Sequence, residues 1–423
     1  MLLHRQLNDS EMCLSRRNYI IYNIINGFSY MCLGETVILL FAVNLGCSDT
    51  VIAILGSMIF WGFLMLPLGK LMTAHCGAAA SQANFWVLRN LAALIVAGAA
   101  PAALYISPLT AAILLIIGSF LFYGFRAAGV VMSQPLVGEI CPKEKQGSFI
   151  FKGWCGFYSS GLVALILISL LLRYNSSTWM LFSVVITGTM AGLISSDFVR
   201  RVKESGEIME SARQSLKTAV KNALVNKDVV RQMIAGMCCN TVAVMLIPIS
   251  MLALKRGYGI SDSSALICSL VQYLSSIFIC MYLGKMADRY GSIKIILINY
   301  YILYLIPVFW LLVPDKCYWF VVWFPFLLAP CGLVACPVGL QQYFLRTVPK
   351  EQQIAASMVI SVATGVASGI LGSTLSALFL KTAHLLNDSG EVLTGYRIYF
   401  AGVLLLLPLL GIFIHRLRPP KSL

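Results

Sequence analysis

Two ionisable residues lie deep inside long apolar runs. Glu35 falls near the middle of residues 18–45, and Arg126 near the middle of residues 109–137. A carboxyl group deprived of water can hold and release a proton. A guanidinium keeps its charge and can grip a carboxylate or phosphate with two parallel hydrogen bonds. The plainer roles for the same residues are a structural ion pair, or an arginine that reaches along its stem to a polar surface. Uncharged polar residues add donors and acceptors: Asn26 and Tyr30 in the first run, Asn240 and Thr241 in residues 230–254, and Gln272 and Tyr273 in residues 264–284. Each could hydrogen-bond a solute, or simply join one helix to another.

A different pattern stands between two later apolar runs. Gly284-Lys285-Met286-Ala287-Asp288-Arg289-Tyr290-Gly291-Ser292-Ile293-Lys294 has the spacing G-x-x-x-D-R-x-G-x-x-K. Gly284 and Gly291 are expected to permit a tight turn, and Asp288 carries a negative charge to the surface there.

The elements that must position these groups follow from composition. Of 423 residues, 59% are hydrophobic and only 11% charged, against about 25% charged in a soluble chain. A spanning helix needs about 20 apolar residues, and the chain reads as twelve such spans: 18–45, 51–72, 84–106, 109–137, 148–172, 179–199, 230–254, 264–284, 295–313, 318–345, 354–380 and 396–414. The alternating segments of a transmembrane β-barrel are not found. The expected fold class is an all-α polytopic membrane protein. The first run is too long for a cleaved signal and is expected to remain as span 1.

Twelve spans put both termini on one side. With the N-terminus inside, 22 of the 31 Lys and Arg fall in inner segments and 6 in outer ones, which places the termini and the central stretch in the cytoplasm. The net charge of +14 is then a matter of topology, and no nucleic-acid partner is expected. Arg89 and Lys152 lie near inner span ends, where snorkelling accounts for them. In residues 200–231, Ile208, Ala212, Leu216, Ala219, Val220 and Ala223 recur at helical spacing opposite Arg213, Lys217 and Lys221. This is an amphipathic linker helix, one that could also lie on anionic lipid. The 13 Cys mostly read as small apolar packing residues, with a Cys47–Cys317 disulfide conceivable in the outer loops. No metal site and no cofactor is expected.

Three short matches recur at nearly constant offset. Residues 46–50 (GCSDT) match 259–263 (GISDS), 68–72 (LGKLM) match 283–287 (LGKMA), and 142–146 (PKEKQ) match 349–353 (PKEQQ). Each falls at the equivalent place in a six-span unit. The expected organisation is a six-helix half over 1–199, a linker over 200–229 and a second six-helix half over 230–423. Tandem six-span halves, a long central loop and the signature between spans 8 and 9 together resemble the major facilitator superfamily of transporters, and the resemblance covers essentially the whole chain.

The resemblance implies two halves that rock around a central site, with spans 1, 4, 7 and 10 lining the cavity. It therefore places Glu35 and Arg126 on cavity helices, about 10 Å apart in depth. It also implies a role for the loop between spans 8 and 9: Asp288, with a nearby cation, meets the N-terminus of a helix of the other half and latches the inner side. Gly284, Asp288, Arg289 and Gly291 form that latch, and pseudo-symmetry points to the start of span 5, residues 146–148, as its target. The first-half copy departs from the family pattern: Gly69 is present, but Thr73 and Ala74 stand in place of the Asp-Arg pair, and Gly77 comes one residue late. A matching first-half latch is not expected. Three prolines in span 10, Pro325, Pro330 and Pro337, should kink it.

The function these features imply is secondary active transport of a small polar or anionic solute, coupled to a proton or another ion. The expected protein is a monomer in the cell membrane, with a small-molecule solute and membrane lipids as partners. The alternative is a transporter-like sensor without net flux, a reading that a soluble signalling domain would favour. An intramembrane enzyme would need clustered His, Asp or Ser at mid-depth, and no His lies there.

Overall fold

The structure is a computed structural model that describes residues 2–3, 5–47, 51, 54–55, 58–59, 61–175, 177–213, 216–260, 262–315, 321–387 and 391–419. Among the described residues, eleven helical segments are long and apolar enough to cross a membrane: Asp9–Asn44, Ala78–Tyr105, Pro108–Ile140, Lys143–Tyr174, Thr178–Arg200, Lys227–Gly257, Ile267–Tyr290, Ser292–Leu312, Val321–Thr347, Gln353–Leu385 and Val392–His415. They correspond to expected spans 1 and 3–12. Span 2 is seen through a 3₁₀ turn at Gly62–Met65 and the helix Leu66–Cys76.

Span 1 begins earlier than its apolar run. Asn8 accepts the Glu11 backbone N–H while the Glu11 side chain reaches back to the Asn8 N–H. This reciprocal cap nucleates the helix at Asp9, ahead of the hydrophobic stretch. Arg5 and Lys203 pair with the same Glu11 at 2.9 and 3.2 Å. The helix breaks at Gly34, whose backbone is extended (φ −71°, ψ 173°), and resumes at Glu35. Span 10 is broken as its prolines predict: helix Phe324–Pro330, a π-helical turn at Cys331–Ala335, and helix Cys336–Thr347. Pro337 has no N–H for the preceding turn, and the wider turn accommodates the missing bond. Further π-helical turns interrupt span 11 at Ala363–Ala367 and end span 7 at Ala253–Gly257.

Contacts divide the chain into two compact units. The first comprises Met1–Lys143, Lys152–Val220 and Pro349–Met358, and the second Glu144–Phe151, Lys221–Val348 and Val359–Leu423. The first turns of spans 5 and 11 thus each group with the unit that does not hold the rest of the helix. The first unit buries Phe41, Leu115 and Phe122 among alanines of span 3. Small residues let its helices approach closely: a Cβ at Gly69 of span 2 would lie 2.2 Å from the Ala128 carbonyl of span 4. The second unit packs Trp310 flat against Phe400 (ring centroids 5.4 Å apart), and the Trp310 indole N–H donates to Ser250 Oγ at 2.9 Å.

The linker departs from a single amphipathic helix. It forms a short strand, Glu204–Ser205, paired in parallel with Leu2–Leu3, then helices Glu207–Arg213 and Leu216–Val225. Ile208 and Ala212 are buried, and helix Glu207–Arg213 packs on the Leu66–Cys76 helix of span 2. The apolar face of this part of the linker is therefore taken by protein rather than left for lipid. Lys70 of span 2 is buried and donates to the Ala212 carbonyl at 2.7 Å. Cys47 carries a free thiol, and Cys317 lies outside the described residues.

Candidate functional site

In the first unit, Arg126 of span 4 is half-buried, with its guanidinium carbon 4.7 Å from the centroid of the Tyr30 ring on span 1. That cation–π contact is its only specific side-chain partner among the described residues: no carboxylate pairs with it and no hydrogen bond engages it. Tyr30 in turn lies 5.9 Å from Phe157 of span 5, and Phe157 packs with Trp154 (5.5 Å) and Tyr158 (5.6 Å). All three span 5 rings are half-buried. The result is an aromatic wall beside a cation with unused donors. Trp154, Phe157 and Tyr158 were not singled out from sequence, although the run W-C-G-F-Y inside an apolar span was their visible signal. The Glu35 side chain lies outside the described residues.

Arg89 overturns the expectation that it snorkels. Its residue is fully buried, 0% exposed, and it donates to Asn26 Oδ1 at 3.0 Å and, more weakly, to Ser29 Oγ and Asn90 Oδ1 at 3.4 Å each. Trp86 and Phe122 offer ring faces at 4.9 and 5.6 Å. These neutral partners solvate the cation in place of water, which is what keeps a mid-protein charge tolerable. Among the described residues no acid pairs with it, and its Nε has no partner. Asn26 is consumed by this arrangement, because its Oδ1 also accepts the Trp86 indole N–H at 3.0 Å. The structure thus joins Tyr30 to Arg126 and assigns Asn26 to holding Arg89. Lys152 is exposed.

The four polar residues expected in the second half are less convergent. Asn240 of span 7 donates to the Thr364 carbonyl at 2.6 Å, in the π-helical turn of span 11. A widened turn frees carbonyls for such a bond, so Asn240 ties two helices together. Thr241 is buried. Gln272 and Tyr273 are half-buried on span 8.

The loop between spans 8 and 9 is better defined, and it and the first turn of span 5 both belong to the second unit. Helix Asp262–Tyr290 ends, and Gly291 (φ +85°, ψ 153°) turns the chain into Ser292–Ile302. That φ lies where side-chain-bearing residues are strained. Gly284 plays a different part from the expected one. It lies inside the helix, and a Cβ there would come within 3.2 Å of Ser148 Cα and 3.1 Å of Phe151 Cβ. It permits close approach to span 5 and makes no turn.

Asp288 accepts from the backbone N–H of Gly147 at 2.8 Å, from that of Ser148 at 2.7 Å, and from the Ser148 hydroxyl. These are orphan donors of the first turn of span 5, which a carboxylate satisfies while also meeting the positive end of the helix dipole. Gln342 of span 10 donates at 3.1 Å, and Arg346, one turn further on, stands 3.7 Å away. Arg289 is not part of this cluster: it is exposed and lies over the Tyr290 ring at 5.3 Å. The cation beside Asp288 is Arg346, which sequence reading missed because it lies 58 residues further along the chain and reaches the loop only through the fold.

The first-half loop has the same backbone and different chemistry. Gly77 (φ +84°, ψ 173°) turns helix Leu66–Cys76 into Ala78–Ala97 as Gly291 does in the second half. Thr73 is fully buried, and its hydroxyl meets the Gly69 carbonyl and the Met132 sulfur. The start of span 3 is capped from the linker instead: Glu204 accepts from the Ala78 and Ala79 N–H groups at 2.7 and 2.9 Å. Burial pushes the Glu204 carboxyl up to about 7, outweighing the two backbone donors that favour its charge. Neighbouring Glu139 accepts the Ser205 N–H. Among the described residues, no cluster of His, Cys, Asp and Glu could hold a metal ion.

The family profile of the Major Facilitator Superfamily matches residues 19–373. A search of curated proteins finds no match. Solved structures similar in fold include a proton:xylose symporter, XylE (13% identity, 98% of this chain and 97% of that one, TM-score 0.69). The human organic anion transporter MFSD10 is also similar (11% identity, 95% and 99% covered, TM-score 0.69), as is the Escherichia coli fucose:proton symporter FucP (10% identity, 97% and 99% covered, TM-score 0.69). The spans, the repeated loops and the profile match agree: this chain belongs to the Major Facilitator Superfamily, and is a multi-pass secondary transporter rather than an enzyme.

Proposed function

We propose that this transporter carries a small anionic or polar solute by alternating access, with Arg126 as the contact for the solute's negative or electron-rich group. The observation that carries this reading is the state of Arg126: half-buried, stacked on Tyr30, and without a hydrogen bond or ion pair among the described residues. A charge at such depth is costly unless something offsets it, and an incoming anion offsets it directly. Arg89 is held by neutral groups and adds positive potential near Arg126. Tyr30, Trp154, Phe157 and Tyr158 supply flat apolar surface for the rest of the solute. Glu35 is the candidate proton carrier for coupling. We place both termini in the cytoplasm on the distribution of Lys and Arg, take 1–199 and 230–423 as the moving halves of a monomer, and assign 200–229 as their linker in a plasma or inner membrane.

Asp288 on the first turn of span 5 is the latch of the inward-closed state. Its bonds are present in that state and broken when the inner side opens, so their free energy biases the cycle directly.

The test is solute flux into proteoliposomes, with and without a pH gradient, for the wild type, Arg126→Lys and Arg126→Ala. Loss of flux in Arg126→Ala with normal membrane insertion, and partial retention in Arg126→Lys, supports the site. Full flux in Arg126→Ala removes it. Solute binding to the wild type without any flux would favour the sensor reading instead.

A further inference from the structure

The second unit holds a cavity that the transport reading does not use. It has a volume of about 560 Å³ and lies between the N-terminal end of span 7 and the C-terminal end of span 12, lined by Arg231, Ile234, Phe413, His415, Arg416 and Arg418. Three arginines and a histidine face it, and among the described residues no acid lines it. Arg231 engages Asp228 through Nη1 alone, at 2.9 Å, which leaves the rest of its fork available. Arg416 lies over the Phe413 ring at 5.3 Å, and among the described residues neither Arg416 nor Arg418 is ion-paired. Leu417 between them is buried. It pins the segment after the helix ends at His415, so that both exposed guanidinium groups are held at the cavity. The His415 ring is oriented by a hydrogen bond with the Tyr301 hydroxyl.

Such a lining selects an anion with several oxygens, because guanidinium forks match phosphate geometry. The volume suits a small headgroup. Span 12 supplies a second, separate indication. Leu405, Leu409, Ile412 and Phe413 are exposed along one face, at 77%, 58%, 53% and 38%, and their i, i+4, i+7, i+8 spacing makes a continuous apolar stripe that ends at the cavity. A free phosphate has no use for that stripe, whereas acyl chains would lie along it. Basic pockets between transmembrane helices are suited to anionic lipid headgroups.

We propose that this cavity binds the phosphate headgroup of an anionic membrane lipid, with Arg231, Arg416 and Arg418 on the phosphate and the acyl chains along the Leu405–Phe413 face. The site is independent of Arg126 and of the latch.

The experiment uses the full-length purified protein in detergent, with dioctanoyl phosphatidylglycerol, dioctanoyl phosphatidylcholine and inorganic phosphate as probes. Bound lipid is counted by native mass spectrometry. The expected result is preferential retention of phosphatidylglycerol, weakened about tenfold or more in Arg416→Gln/Arg418→Gln and largely kept in Arg416→Lys/Arg418→Lys. Equal retention of the two lipids by the wild type overturns the proposal, as does undiminished phosphatidylglycerol binding by the double Gln variant. Displacement of phosphatidylglycerol by equimolar inorganic phosphate would assign the cavity to free phosphate and likewise overturn the lipid assignment. Should the Gln variant aggregate, the wild type in rising salt decides: a preference for phosphatidylglycerol that fades supports the site, and one that does not overturns it.

Discussion

The loops between spans 2 and 3 and between spans 8 and 9 share a backbone and differ in what they do with an acid. Both end a helix, turn at a glycine with φ near +85° (84° at Gly77, 85° at Gly291), and start the next helix at once. In the second-half loop, Asp288 reaches outward and satisfies the first turn of span 5. In the first-half loop the same position is a buried Thr73 turned inward on its own helix. The acid there comes from the linker, as Glu204 on the first turn of span 3. Lys70 and Lys285, which occupy matching places in the repeat, diverge in the same way: Lys70 is buried on the linker carbonyl of Ala212, while Lys285 is exposed. One loop has become a fixed anchor for the linker. The other keeps a charged contact with the first turn of span 5. A repeat therefore preserves the turn while its side chains take on separate work.

The harshest way to break this comparison is to give the first loop an acid. Thr73→Asp would place a carboxylate in a fully buried spot whose present neighbours are a carbonyl oxygen and a thioether. An unpaired buried charge costs several kcal/mol, so the variant should lose thermal stability sharply and acquire no new latch. A variant as stable as wild type would show that the two loops are interchangeable.

Removing the acid from the second loop comes next. In Asp288→Asn one amide oxygen remains as acceptor, and the amide NH₂ faces either the Gly147 and Gln342 donors or the two Ser148 donors. Hydrogen bonds to charged groups are worth about 1.5–3 kcal/mol each, so the inward–outward equilibrium should shift at least tenfold toward inward-open. Hydrogen exchange at the Gly147 and Ser148 amides reads this directly. Unchanged protection there, with unchanged transport, reduces the loop to topology.

The shared turn makes a matched pair. Gly77→Ala and Gly291→Ala each force a Cβ onto an extended backbone of positive φ that is essentially confined to glycine, at a cost of about 1–3 kcal/mol. Equal losses of thermal stability sharpen the claim of a common backbone; a loss confined to one loop breaks it.

The smallest effect should be the pH response of the linker anchor. Burial lifts Glu204 from 4.5 to about 7, so between those values the folded protein holds a proton that the unfolded chain has released. Stability from this group is complete below 4.5 and is lost as the pH rises through 7. Thermal stability should fall over that rise in the wild type and stay flatter in Glu204→Gln. Identical pH profiles would remove Glu204 as the titrating group.

Much of this was legible in the chain itself. Hydropathy is local, so twelve apolar runs stood out, and eleven reappear as long apolar helices among the described residues. The G-x-x-x-D-R-x-G-x-x-K spacing pointed to the family, and the six-span repeat pointed from Asp288 to residues 146–148, where Asp288 bonds Gly147 and Ser148. The errors were errors of partnership. Arg89 lies near an inner span end and is expected to reach the surface, yet Asn26 arrives from span 1 and Phe122 from span 4 to hold it inside. Arg289 adjoins Asp288 and is expected in the latch with a nearby cation left unnamed, whereas Arg289 stays outside the cluster and Arg346 of span 10 stands beside Asp288. Gly284 was read as a turn because glycine permits one, and its service is closeness to Ser148.

The sequence by itself determined the class of molecule, the number and order of its spans, the repeat and the family, because each rests on residues adjacent along the chain or on spacing within one helix. Only the tertiary structure decided which polar groups are spent on one another and which are not. Asn26 is spent on Arg89 and Asn240 on span 11, while Arg126 keeps its donors. The reason is physical. A buried hydrogen bond or ion pair is settled by which helices meet at one depth, and that meeting is a property of packing which no single span encodes.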